Sequence, residues 1–211
     1  MRPRVVERYE NIKQILERLG YAPTESVFRF ERFITSPNSG VNYRVEVDFL
    51  TEPEGAEKLP SGWLASVQKD LKACIIEGCS LVFKHKFEVT ERAFIPAGYE
   101  ASATFYCVDI VGSLTMKGSA LYRMKDKDSY DIYAVAGFYR GGPKAASAAF
   151  LASLTNAGRE KAIRGALREI RDAFSSETSQ GPVAVARFMG SDDARLDSYR
   201  RLKMFLEDIP Y

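Results

Sequence analysis

Histidine is almost missing from this chain, with one, His85, in 211 residues. A single imidazole excludes HExxH zinc sites and every multi-histidine metal centre. Cysteine is nearly as scarce, and Cys74, Cys79 and Cys107 form an odd set without a CxxC pair. That spacing supports neither a disulfide framework nor a structural zinc site, so all three are expected to be small buried apolar residues. No uninterrupted apolar run has the length of a membrane span or the layout of a signal peptide, and the expected location is cytoplasmic, with no membrane partner. A GxSxG elbow is lacking, which sets hydrolases aside, as is a GxGxxG turn. The segment Gly112-Ser-Leu-Thr-Met-Lys117-Gly118-Ser119 inverts the Gly-Lys order that a phosphate loop needs. Nor does one charge dominate, since 30 Lys plus Arg against 28 Asp plus Glu leave +2. Any basic surface must therefore be local.

What is present is 45% hydrophobic and 27% charged residues, enough to bury a core in one large domain or two small ones. Val5, Tyr9, Ile12, Leu16 and Leu19 recur at helical spacing, and Gly20 follows where a left-handed cap belongs. Segments near 27–35 and 42–50 alternate as strands around the turn-rich residues 36–40, which predicts a hairpin. Residues 64–76 read as a helix or irregular cover, and 81–89 as a strand. From Asp109 the period becomes helical, over 110–124, 128–139, 143–154, 158–174 and 192–208. The expected fold is α+β, with a mixed sheet and flanking helices in residues 1–108 and a helical bundle in 109–211.

Three constellations carry chemistry. In Tyr43-Arg-Val-Glu-Val-Asp-Phe-Leu50, a period of two points Glu46 and Asp48 the same way. Such a pair can hold a hard divalent metal through oxygen ligands, or form a solvated face neutralised by Arg44 and cross-strand lysines. Lys117 takes an apolar position on the stripe Ile110, Leu114, Leu121, Met124. It either neutralises phosphate oxygens in a cleft or packs its stem while the ammonium reaches water. In Lys125-Asp-Lys-Asp-Ser-Tyr-Asp-Ile-Tyr133, Asp128 and Asp131 stand a turn apart and could face Lys117. Asp128 also reads as an N-cap, with Asp131 completing a variant capping box. His85 reads as a satisfied core-edge histidine, Lys84 and Lys86 as a small basic strip or as solvated edge lysines, and Arg140-Gly-Gly-Pro-Lys144 as a phosphate contact or simply the loop that two helices need.

Taken in order, the strand ending in Asp48, the helix with Lys117 and the Lys-Asp-Lys-Asp128-Ser-Tyr-Asp131 segment resemble the nucleotidyltransferase superfamily. The likeness spans about residues 43–135 and is strongest to AbiEii-like toxins of type IV toxin-antitoxin pairs. It implies catalytic roles for Asp48, Lys117 and Asp128, nucleotide contacts from Lys117 and Asp131, and Mg²⁺ or Mn²⁺ on Asp48 with Glu46. The implied activity is transfer of NMP from an NTP to an acceptor hydroxyl, with RNA or a cognate antitoxin protein as further partners. The family's opening Gly-Ser and Asp-x-Asp strand has no counterpart before Tyr43. The expectation is thus an enzyme truncated at its start, one completed by another chain, or a non-catalytic nucleotide- or partner-binding module of the same fold. A missing first strand would leave a sheet edge open, which predicts a homodimer.

Overall fold

The computed structural model describes residues 12–37, 39–52, 63–68, 71–76, 78–95, 98–154 and 161–210, and the chain is α+β. It divides into two units, one made of residues 1–79 and 90–103, the other of 80–89 and 104–211.

In the first unit a helix over residues 12–18, α1, closes at Gly20, whose φ of +82° is the left-handed turn expected there. Val5 and Tyr9 lie outside the described residues, and Ile12, Ile15 and Leu19 are exposed rather than buried. Strands β1 (Ala22–Pro23), β2 (Arg29–Thr35) and β3 (Asn42–Asp48) form one antiparallel sheet in that order. The predicted hairpin is β2–β3, with Thr35 opposite Asn42 and Arg29 opposite Asp48. A second sheet orders β4 (Leu50–Thr51), β6 (Leu71–Ile75) and β5 (Leu64–Gln68), with β4 parallel to β6. The helix or irregular cover expected over 64–76 is therefore corrected to two strands. Leu71, Ala73, Cys74 and Ile75 are buried, so the run is apolar on nearly every residue and lacks the alternation of a half-exposed strand. Phe30 is buried too, edge-to-face with Phe49 at 5.8 Å between ring centroids.

A 3₁₀ turn, Cys79–Phe83, replaces the start of the strand expected from Leu81. The strand proper, β7 (Lys86–Phe94), joins β8 (Glu100–Val108) in a two-stranded ribbon whose far end, from Thr90 to Ala103, belongs to the first unit. Cys74 and Cys79 are buried as expected, but Cys107 is half-exposed.

The second unit contains α2 (Ile110–Gly118), α3 (Asp126–Phe138), α4 (Pro143–Ser153), α5 (Lys161–Ala173), α6 (Gln180–Met189) and α7 (Asp193–Glu207). All six contribute to one apolar core that includes Val111, Leu114, Ile132, Phe150, Leu167 and Phe205. Each such side chain contributes about 1.5–3 kcal/mol on leaving water. Helix α2 starts where Asp109 Oδ1 accepts from Gly112 N–H at 2.9 Å. It presses on α5 at Gly118, where a Cβ would come within 2.7 Å of the Ala166 carbonyl oxygen. That close approach fixes the level at which Lys117 leaves the helix.

Candidate functional site

Lys117 occupies the last turn of α2, next to that glycine contact. Its ammonium sits 3.1 Å from Asp128 Oδ1 and 2.6 Å from Asp131 Oδ2. The two carboxylates reach it from successive turns of α3, as their spacing predicted. The other oxygen of Asp128 accepts from Arg123 Nη2 at 2.9 Å, and Asp131 also accepts from Lys127 Nζ at 2.9 Å. Asp128 is 3% exposed, and both of its oxygens have a cationic donor. A buried carboxylate requires such partners, because desolvation without them costs several kcal/mol.

Asp128 is consequently not the N-cap of α3. That position is Lys125, and Asp126 and Asp128 both lie in the first turn, where a carboxylate also meets the positive end of the helix dipole. The predicted capping box is replaced by an ion-pair cluster. Burial pulls the Lys117 pKa down, but the hydrogen bonds to Asp131 and Asp128 outweigh it, and the ammonium is held above its ordinary value. Burial likewise pushes the Asp131 carboxyl up, and the hydrogen bonds from Lys117 and Lys127 win, holding it below the usual carboxylate range.

Arg123 is the residue that sequence reasoning missed. It sits on the 3₁₀ turn Leu121–Arg123 between α2 and α3, where residue spacing carries no helical face to read. The signal was indirect, since an aspartate meant for the interior must find more than one donor.

Glu46 and Asp48 do lie on the same side of β3, but they are already answered. Arg29, directly across the hairpin, donates from Nε to Asp48 Oδ1 at 2.6 Å and from Nη2 to Oδ2 at 2.8 Å. Its Nη1 donates to Glu46 at 2.8 Å, and Arg44 pairs with the same Glu46 oxygen and with Glu31. The fork of a guanidinium matches a carboxylate in this bidentate way. The hydrogen bond to Asp48 drives the already high Arg29 pKa higher still, against burial. Among the described residues no three His, Cys, Asp or Glu side chains converge as metal ligands. Asp48 belongs to the first unit and Lys117 to the second.

The weaker candidates resolve as structural. His85 is buried, with Nδ1 3.1 Å from Asp109 Oδ2, but its Nε2 is buried without a hydrogen-bond partner among the described residues, so the expected satisfied histidine is corrected to a half-satisfied one. Gly112 packs closely there, since a Cβ would lie 3.0 Å from the His85 carbonyl oxygen. Lys86 stands over the Tyr106 ring at 4.1 Å, a cation–π contact. Lys144 pairs with Glu207 and Asp208, and Arg140 lies against the Tyr139 ring at 5.3 Å. Compared with known proteins, the chain matches no family model, no curated protein and no solved structure. Among the described residues no helix is long and apolar enough to cross a membrane.

Proposed function

We propose that this chain is a nucleotidyltransferase-type protein that takes the triphosphate of an NTP on the Lys117 cluster and passes NMP to an acceptor hydroxyl, with RNA as the first acceptor to test. The observation that supports it most is the buried Asp128, which ties Lys117 to Arg123 from opposite oxygens. Each cation keeps about a third of its side chain exposed, 31% and 36%. With Lys127 and Asp131 included, three cations stand against two carboxylates, a net charge of +1. Fixed, partly desolvated cations of this kind suit phosphoryl oxygens. The motif resemblance points the same way, and with it come the finer fold expectation of a helical bundle after the sheet half and the toxin role with an antitoxin partner.

Magnesium or manganese enters this reading as the counter-ion of the nucleotide. The Glu46–Asp48 pair, held by Arg29, does not fit a divalent ion as folded. That same contact favours a second reading, a non-catalytic nucleotide- or partner-binding module. Incubating the full chain with labelled NTPs, Mg²⁺ or Mn²⁺ and RNA separates the two, alongside fluorescent-ATP binding. Saturable binding lost in Lys117→Ala, with label moved to RNA, supports the enzyme. Binding without transfer supports a nucleotide-binding module, and no saturable binding rejects the enzyme and the nucleotide-binding module alike.

A further inference from the structure

Within the second unit, a cavity of about 270 Å³ opens between the end of α5 and one face of α7. Phe174 and Leu206 floor it, both buried. Tyr199 and Lys203, one turn apart on α7 and hence on one face, line it together with Arg171 of α5. Arg171 is fixed in place, because its Nη2 donates to the carbonyl oxygens of Leu206 at 3.3 Å and Ile209 at 2.5 Å. Its Nε is buried without a hydrogen-bond partner. Lys144, Arg187 and Arg201, elsewhere in the same unit, each meet a carboxylate. Arg171 and Lys203 meet none among the described residues. The one acid in the lining, Glu207, is turned to Lys144 at 3.3 Å. The cavity therefore gathers two positive charges beside an apolar floor, and among the described residues Arg171 is answered by two carbonyl oxygens and neither charge by a carboxylate.

We propose that this cavity binds a phosphate monoester. Lys203, Arg171 and the Tyr199 hydroxyl hold the phosphoryl group, and Phe174 and Leu206 receive the organic body. A dianion matches two cations better than a carboxylate does, and charge-assisted bonds from Arg and Lys are the stronger kind. The volume lies near the lower end of small-molecule pockets, which run from about 300 Å³, so it suits a metabolite rather than a bare oxyanion. None of these residues belongs to the Lys117 cluster, and the proposal stands without the nucleotidyltransferase reading.

The test is amide NMR of the full chain titrated with inorganic phosphate, phenyl phosphate and benzoate. The expected result is saturable shifts confined to residues 171–175 and 199–207, with phenyl phosphate bound more tightly than phosphate. Lys203→Ala, on the exposed side of α7, should weaken binding about tenfold, the loss of one charge-assisted contact, while the fold is intact by circular dichroism. Tyr199→Phe should weaken it less, and Lys117→Ala should leave it unchanged. The proposal is overturned if no shift saturates by about 10 mM, if benzoate binds as tightly as phenyl phosphate, or if Lys203→Ala has no effect.

Discussion

Lys117 Nζ lies 2.6 Å from Asp131 Oδ2, and although burial is the largest influence at each end, this contact outweighs it once Asp128 adds to the lysine and Lys127 to the aspartate, so the lysine pKa is raised and that of the aspartate lowered. The two shifts define a pH window. An unfolded aspartate titrates at about 3.9 and the folded Asp131 below that, so its contribution is complete above the unfolded value. It is lost as pH falls through the folded value. The unfolded lysine titrates at about 10.4 and Lys117 above that, so its contribution is complete below the unfolded value and lost as pH rises through the folded one. Urea unfolding of wild type and Asp131→Asn should give a stability difference that is constant from about pH 5 to 9 and shrinks below about pH 4. A difference that stayed constant down to pH 3 would contradict the pairing.

Asp128 is the buried member of the cluster, and its replacement should matter more. Asp128→Asn keeps the volume but removes the charge that both Lys117 and Arg123 meet. Because those cations can turn to water, the expected cost is about 1–3 kcal/mol rather than that of a stranded buried charge. Lys127→Ala, at an exposed i,i+4 pair, should change stability by less than about 0.5 kcal/mol. Denaturant midpoints of the two variants check the contrast, and equal effects would mean that Asp128 is no better sheltered than Asp131.

Arg29 holds the position that a cation between Glu46 and Asp48 would take. Arg29→Ala leaves two carboxylates on one strand face with, among the described residues, Arg44 as the remaining cation paired to them, and their repulsion makes the pair receptive to a divalent ion. The half-exposed network limits the loss of stability to about 1 kcal/mol. Mn²⁺ titration followed by water relaxation should detect a site in Arg29→Ala and none on the wild-type pair. Equal Mn²⁺ binding that Asp48→Asn abolishes in the wild-type background would mean that Arg29 yields to metal unaided.

Two glycines on packed helices should respond in opposite directions. Gly118→Ala drives a Cβ to 2.7 Å from the Ala166 carbonyl oxygen and 2.9 Å from its Cβ, so α2 and α5 must part. Overpacking of this kind costs about 1–3 kcal/mol. Gly165, inside α5, has open space where a Cβ would go, with nothing among the described residues within 4 Å. Gly165→Ala should therefore stabilise by about 0.5–1 kcal/mol through helix propensity alone. Thermal melts of both settle it, and a neutral Gly118→Ala would mean a looser helix pair.

The contrast between these positions reflects what a sequence can carry. The β2–β3 hairpin was legible because alternation and a Ser-Pro-Asn-Ser-Gly turn agree, and α3, α4, α5 and α7 because their apolar spacing is regular. Strands β5 and β6 were not, since five-residue segments without clean alternation look alike as strand or helix. Helix α6 falls between the two helical periods read at 158–174 and 192–208, although the proline of its Gln-Gly-Pro start suits a first turn and Gly181 leaves room for Phe174, which would lie 2.6 Å from a Cβ there. Lys117, Asp128 and Asp131 were found through their spacing. Arg123 and Arg29 were not, because one comes from an irregular turn and the other from across a hairpin whose register had to be drawn first.

That register also bears on association. Strand β3 has β2 on one side and, among the described residues, no strand on the other. Its outer edge presents backbone donors and acceptors that a second strand can satisfy. Tyr43 on this strand is 56% exposed, which supplies an apolar contact for an incoming copy, while Arg44, Glu46 and Asp48 on the other face are occupied with Arg29 and Glu31. A homodimer formed by edge pairing is the expected outcome, and because such an interface is self-complementary it closes at two copies. Light scattering across a concentration series should record the dimer. Tyr43→Lys should shift it to monomer, since an edge lysine opposes strand addition, while Leu196→Lys on the exposed part of α7 should not. A monomer at every concentration, or equal effects of the two substitutions, would remove the β3 edge from the argument.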